Sequence, residues 1–201
     1  MDAGRIKDLL LGTGRAGMSD LIKYMDEYGF FTAPCSTSYH LAKEGGLAEH
    51  SLNVFTVAEE LYHLWELQAV IPEESVTISA LLHDIGKMGQ FGKAYYVPNM
   101  LKGRATRANP NPEPYQSDKK PYVGNPELIY VDHECRALSV ISKYIDITED
   151  EQLAILWHNG LYGKFKYDIP GKETPLYLLI HFADMWASRF IEKEDGADEE
   201  I

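Results

Sequence analysis

The chain has 201 residues, 45% of them hydrophobic, enough for one domain with a single core or for one domain with a small N-terminal extension. A formal charge of −12 excludes broad binding to duplex nucleic acid, which depends on phosphate neutralisation by an excess of Lys and Arg. No signal peptide or bilayer-spanning apolar run is visible, and Cys35 and Cys135 lack the paired spacing of a zinc knuckle; both read as packing residues of a protein in a reducing, cytoplasmic compartment.

Helical periodicity dominates and strand signal is scarce, so the expected class is all-α. Arg5 to Leu11 is a short apolar-periodic run, and Met18 to Tyr28 is a second, with Met18, Leu21, Ile22 and Met25 on one face. Between them, Gly12-Thr-Gly-Arg-Ala-Gly17 has the spacing of a dinucleotide-binding loop. No strand precedes it and no parallel-sheet pattern follows, so a glycine turn between two helices accounts for it. Phe30 to His40, with Pro34 and several hydroxyl residues, reads as a loop. A long helix follows from about Leu47 to Leu67, with His50 on the stripe of Leu47, Val54, Val57, Leu61 and Leu64. Ser75 is the expected cap of the next helix, which carries Ile78, Leu81, Leu82 and the pair His83-Asp84 and stops near Gly86.

From Gly89 to Val131 the helical period is lost and Gly, Pro and Tyr are dense, so a long irregular insertion or β-hairpin is expected, of a length often used to cover an active site. Lys93, Lys102, Arg104, Arg107, Lys119 and Lys120 lie in it, against only Glu113 and Asp118 between Lys93 and Lys120, and could meet an anionic substrate. Helix resumes over His133 to Tyr144. Thr148 and Glu151 form the capping-box signature of a helix ending at His158, and Thr174-Pro175 opens a last helix that holds Asp184 and runs to about Lys193. Glu192 to Glu200 is acidic, lacks apolar anchors and reads as a solvated end. The expected division is a helical extension over 1–38 packed on the core, a main domain over 39–193 and a flexible acidic tail over 194–201.

His83 and Asp84, adjacent inside an apolar run, are costly there unless something binds them. His50, His133, His158 and Asp184 recur in the same way, each in its own apolar helical segment. One metal of borderline softness takes about four protein ligands, so four His and two Asp suit two divalent ions bridged by a carboxylate, here Asp84. A single buried histidine is more often a satisfied core residue than a ligand; the ordered set carries the argument. Fe, Mn, Zn, Co and Ni all accept such donors. His63 falls outside the order. His181 shares a face with Asp184 and reads as packing or as a partner orienting that carboxylate, and Arg189 reads as an ion-pair residue.

The order His50, His83-Asp84, His133, His158, Asp184 resembles that of the HD-domain metalloprotein superfamily, in the subset with two extra histidines before the final Asp. The likeness covers roughly residues 39 to 189. It is sharpest in Gly-Gly-Leu-Ala-Glu-His-Ser-Leu-Asn-Val (45 to 54) and Leu-Leu-His-Asp-Ile-Gly-Lys (81 to 87), which are similar to stretches of stand-alone bacterial and phage HD hydrolases and of a bacterial 3′→5′ exoribonuclease. That exoribonuclease also carries an OB-fold module, for which nothing here is a candidate.

The resemblance implies an all-α HD bundle in which His50, His83, Asp84 and Asp184 are the defining metal ligands and His133 and His158 complete a second site. It implies that Lys87 contacts substrate phosphate, and hence a metal-dependent phosphohydrolase that cleaves a nucleotide or short phosphodiester with an activated water. Arg104 and Arg107 would add substrate contacts. His40 reads equally as a substrate-contacting or proton-donating group and as a locally bonded loop histidine. Di-iron HD oxygenases acting on a polyol or phosphonate share the six-ligand order and the lysine, and stay open as the alternative. A regulatory nucleotide-binding module with a degenerate site is a third, against which the complete ligand set speaks.

Overall fold

The computed structural model describes residues 2–107 and 109–193; the expected acidic tail over 194–201 lies outside the described residues. The fold is mostly α-helical with a few short antiparallel strands. Its helices are α1 (Asp2–Gly12), α2 (Met18–Glu27), α3 (Gly46–Leu64), α4 (Glu73–Leu82), α5 (His133–Ile141), α6 (Glu149–Trp157) and α7 (Pro175–Trp186).

Helix α3 packs on α4 and α7, while α6 packs on α4, α5 and α7. On α2 the face read from the apolar period, Met18, Leu21, Ile22 and Met25, is buried; on α3 Leu47, His50, Val54 and Val57 are buried, whereas Leu61 is half-buried and Leu64 at the helix end is exposed. Ile6 and Leu10 of α1 and Leu21 of α2 belong to the same core as Val54, Leu81, Ile155 and Ile180. Full burial of each such aliphatic side chain is worth about 1.5–3 kcal/mol. The glycine-rich segment after α1 is the expected turn between two helices.

Two helix ends match their sequence signals. Thr148 and Glu151 form the reciprocal capping box of α6, and the Thr174 side chain caps α7 with Pro175 in its first turn. Other boundaries differ. Ser75 is not a cap: α4 starts at Glu73 behind Pro72, and the buried Ser75 hydroxyl donates to Glu151 at 2.7 Å. Helix α4 also ends at Leu82, so His83 and Asp84 occupy a break before a 3-10 turn, Ile85–Met88. Helix α3 ends at Leu64, earlier than its period indicated.

The insertion forms a β-arm. Strand β1 (Tyr96–Pro98) pairs antiparallel with β4 (Tyr122–Gly124), and β2 (Met100–Leu101) with β3 (Tyr115–Gln116). Asn99 joins the two ladders, its N–H donating to Pro121 O at 2.8 Å and its carbonyl accepting from Ser117 N at 2.9 Å. Helix α7 runs into a π turn, Ala187–Ile191. None of the described helices is long and apolar enough to cross a membrane.

Candidate metal centre

Five segments bring the six ligand-type residues together: His50 from α3, His83 and Asp84 from the break after α4, His133 from the first turn of α5, His158 from the end of α6, and Asp184 from α7. His50, His83, Asp84 and His158 are each no more than 1% exposed. Gly86 makes the meeting possible, because a Cβ there would run into the His133 carbonyl and separate the His83-Asp84 break from α5.

Each imidazole is anchored through Nδ1. His83 Nδ1 donates to Ala80 O at 2.8 Å and His158 Nδ1 to Ile155 O at 2.7 Å, both reaching back to the last turn of their own helix. His50 Nδ1 donates to the Glu192 carboxylate at 3.0 Å, and His133 Nδ1 lies 3.3 Å from Glu134 Oε2. These partners assign the Nδ1–H tautomer to each ring and leave four Nε2 atoms to converge.

Their meeting point is Asp84. Its Oδ2 lies 3.5 Å from Nε2 of both His50 and His83, and Asp184 Oδ1 lies 3.3 Å from His50 Nε2. On the other side, Oδ1 lies 3.2 Å from His133 Nε2 and 3.4 Å from His158 Nε2. Despite that proximity, Oδ1 is buried without a hydrogen-bond partner. His50 and His83 bring their Nε2 atoms within 3.2 Å of each other, and His133 and His158 within 3.4 Å.

The charges point the same way. Burial pushes His83 down to about 3, so it stays neutral. Burial opposes charge on His50 and His158 as well, but Cys35, Asp184 and Glu192 around the first and Asp84 and Asp184 around the second more than offset it, and both pKa values are raised. Burial also opposes ionising Asp84, yet Lys87 and the surrounding imidazoles hold its pKa well down. Asp184 and Glu192 are likewise held down by His50 against their burial. These carboxylates outnumber Lys87, so the centre draws protons onto His50 and His158, or divalent cations. The groups His50, His83, Asp184 and His83, Asp84, His158 each place their donor atoms within 4.8 Å of one another, and a metal ion fits the donor set.

A cavity of about 760 Å³ opens onto this centre and is lined by His40, Asp84, Lys87, His158 and Asp184 among others. A cavity of about 780 Å³ beside α1 holds Asp8, Glu59, Glu73 and Glu74 but no imidazole, so chemistry rather than size selects the site. Lys87 Nζ donates to Asp84 Oδ2 at 2.6 Å. Arg104 and Arg107 are exposed, fall in the segment between β2 and β3, and do not line the cavity. Arg189 and Lys193 do line it, with the Arg189 guanidinium 4.5 Å from the Tyr162 ring centroid. His181 Nδ1 donates to the His158 carbonyl at 2.7 Å and so braces that ligand segment rather than Asp184. His63 is exposed.

Four residues close to the centre escaped the sequence reading. Glu134 directly follows His133, and Asn159, which follows His158, places Nδ2 2.8 Å from Glu134 Oε1 and 2.9 Å from His158 Nε2. Glu192 reads in the sequence as part of a solvated acidic end, yet it is buried behind His50, also accepts from Asn53 Nδ2 at 2.9 Å, and has its pKa lowered. An uninterrupted α-helix would turn Glu192 about 80° away from Asp184; the π turn changes that phase. The fourth is Cys35, which is buried with Sγ 3.3 Å from His40 Nε2. No protein-family model, curated protein or solved structure matches this chain.

Proposed function

We propose that this chain is an HD-type metal-dependent phosphohydrolase that cleaves a phosphoester of a nucleotide or short phosphodiester. The observation that carries this reading is Asp84, whose two oxygens face two different groups of imidazoles while one of them has no hydrogen bond. Residues fit to hold one ion are His50, His83 and Asp184, and residues fit to hold a second are His133 and His158, with Asp84 between. Divalent metals bound there supply activation of a water for in-line attack on phosphorus and charge for the phosphoryl oxygens.

The rest falls to the chain's own groups. Lys87 and the cationic residues at the cavity, Arg189 and Lys193, attract the phosphate and offset its charge. His40, whose pKa burial lowers to about 4, reaches the same cavity as a neutral imidazole, suited to holding a substrate hydroxyl by a hydrogen bond. Tyr39, largely exposed at the cavity, offers a ring face to a base.

The test is anaerobic purification followed by a phosphate-release screen over nucleotides, dinucleotides and short RNA with Mn²⁺ or Fe²⁺ supplied. Hydrolysis that persists without O₂ supports the proposal. Bound iron with no hydrolysis and an O₂-dependent spectral change would overturn it in favour of the oxygenase; nucleotide binding without turnover would point to the regulatory module.

A further inference from the structure

We propose that Cys35 is a thiolate ligand of the metal held by His50, His83 and Asp184, so that this centre takes a borderline or soft ion such as Zn²⁺, Fe²⁺ or Co²⁺ in preference to Mg²⁺. The inference rests on the metal-binding reading above and adds to it a donor outside the six-residue series.

The argument begins with the loop between α2 and α3. Cys35 N–H donates to Leu41 O at 3.1 Å, Ser36 Oγ donates to His40 O at 2.8 Å, and Tyr39 N–H donates to Ser36 Oγ at 2.9 Å. These bonds close a tight loop in which Leu41 holds a left-handed φ of 47°, a strained conformation for a leucine. The loop is pressed onto the start of α3: a Cβ on Gly46 would collide with the Leu41 carbonyl, the one that fixes Cys35. The Gly45-Gly46 pair thus lets the loop carrying Cys35 dock against the helix carrying His50.

Docked in this way, Cys35 faces donors rather than an apolar pocket alone. Its Sγ lies 3.3 Å from His40 Nε2, 4.0 Å from Asp84 Oδ2 and 3.9 Å from Lys87 Nζ. Cys35, His40 and His50 place ligating atoms within 4.8 Å of one another, and His50 also belongs to the group with His83 and Asp184. The thiol therefore sits beside a ring and a carboxylate already oriented toward the centre. Thiolate favours soft and borderline metals over hard ones. When the metal–sulfur bond forms, the S–H bond breaks and its proton is released to solvent through the cavity that His40, 3.3 Å from Sγ, helps to line. Cys135, half-buried on α5, belongs to none of these donor groups among the described residues.

Anaerobic titration of the metal-free, reduced protein with Co²⁺ reads this directly, because d–d bands shifted or intensified relative to aqueous Co²⁺ report binding by any donor and a near-ultraviolet charge-transfer band reports thiolate. The expected result is both signals in the unsubstituted protein and in Cys135→Ser, with loss of the charge-transfer band and retention of the d–d bands in Cys35→Ser. Cys35→Ala is the second variant if Ser disturbs the buried position. In the unsubstituted protein, d–d bands without a charge-transfer band would overturn the role of Cys35 and leave the phosphohydrolase reading standing. A charge-transfer band that survives in the Cys35 variants would overturn it in the same way. A spectrum no different from aqueous Co²⁺ would remove the metal centre itself, and both readings with it.

Discussion

Two of the buried carboxylates, Glu151 and Asp84, have different surroundings. Glu151 is finished by the protein: Oε1 accepts from Arg15 Nη2 at 2.7 Å and Ser75 Oγ at 2.7 Å, and Oε2 from Arg15 Nη1 at 2.9 Å and Thr148 N at 2.8 Å. Asp84 is left open. Lys87 takes Oδ2, while Oδ1 faces two imidazole nitrogens without a hydrogen bond. Leaving a buried carboxylate oxygen unpaired costs several kcal/mol, and although Ser79 Oγ and Arg136 Nε are also buried without a partner, only Asp84 Oδ1 faces imidazole nitrogens. A carboxylate left incomplete amid oriented lone pairs implies that something else completes it.

The sharpest way to break this contrast is to remove each carboxylate's role and ask what else is lost. Asp84→Ala is expected to abolish metal retention and bring hydrolysis to background; unchanged metal content by elemental analysis would sink the bridging assignment. Arg15→Ala should do the reverse, costing about 3–5 kcal/mol in denaturant unfolding by stranding Glu151, with metal content unaltered. If that variant also sheds metal, the two regions are coupled and the contrast fails.

Smaller effects sharpen it. Glu192→Gln keeps an acceptor near His50 Nδ1 but removes the charge, and should weaken metal binding about 10–100-fold in competition with a chelator. Glu151 also sets a pH signature. Burial disfavours its charge, but Arg15, the Thr148 N–H and Ser75 more than offset that and lower its pKa below the ordinary 4.5. Its stabilisation is therefore complete above that value and fades as pH falls through the folded-state pKa. Acid unfolding of Glu151→Gln should be less steep below about pH 4.5 than that of the unsubstituted chain. Identical slopes would mean Glu151 is not held as described.

Where a residue's position follows from a regular period, the sequence makes it legible. His50 shares a helical stripe with Leu47 and Val54, and all three are buried. The Thr148–Glu151 capping box reads directly from its spacing. What Glu151 does beyond the cap, meeting Arg15 and Ser75 across 136 and 76 residues of sequence, has no local signal, so Ser75 read as a cap. Cys35 and His40 sit in a loop whose shape is set by its own hydrogen bonds and by a glycine contact, neither of which has a period. Glu192 is hidden by the π turn, which alters the helical phase just before an acidic stretch. Arg104 and Arg107 cluster in the sequence with other cations, and the β-arm holds them in the exposed segment between β2 and β3, away from the lining of the cavity.

The central claim is that Asp84 joins two metal positions, and the most direct measurement is metal per chain in the anaerobically purified protein beside His133→Ala. Two ions per chain in the first and one in the second is the predicted result. Metal content that His133→Ala leaves unchanged, or a chain that retains no metal at all, would contradict it.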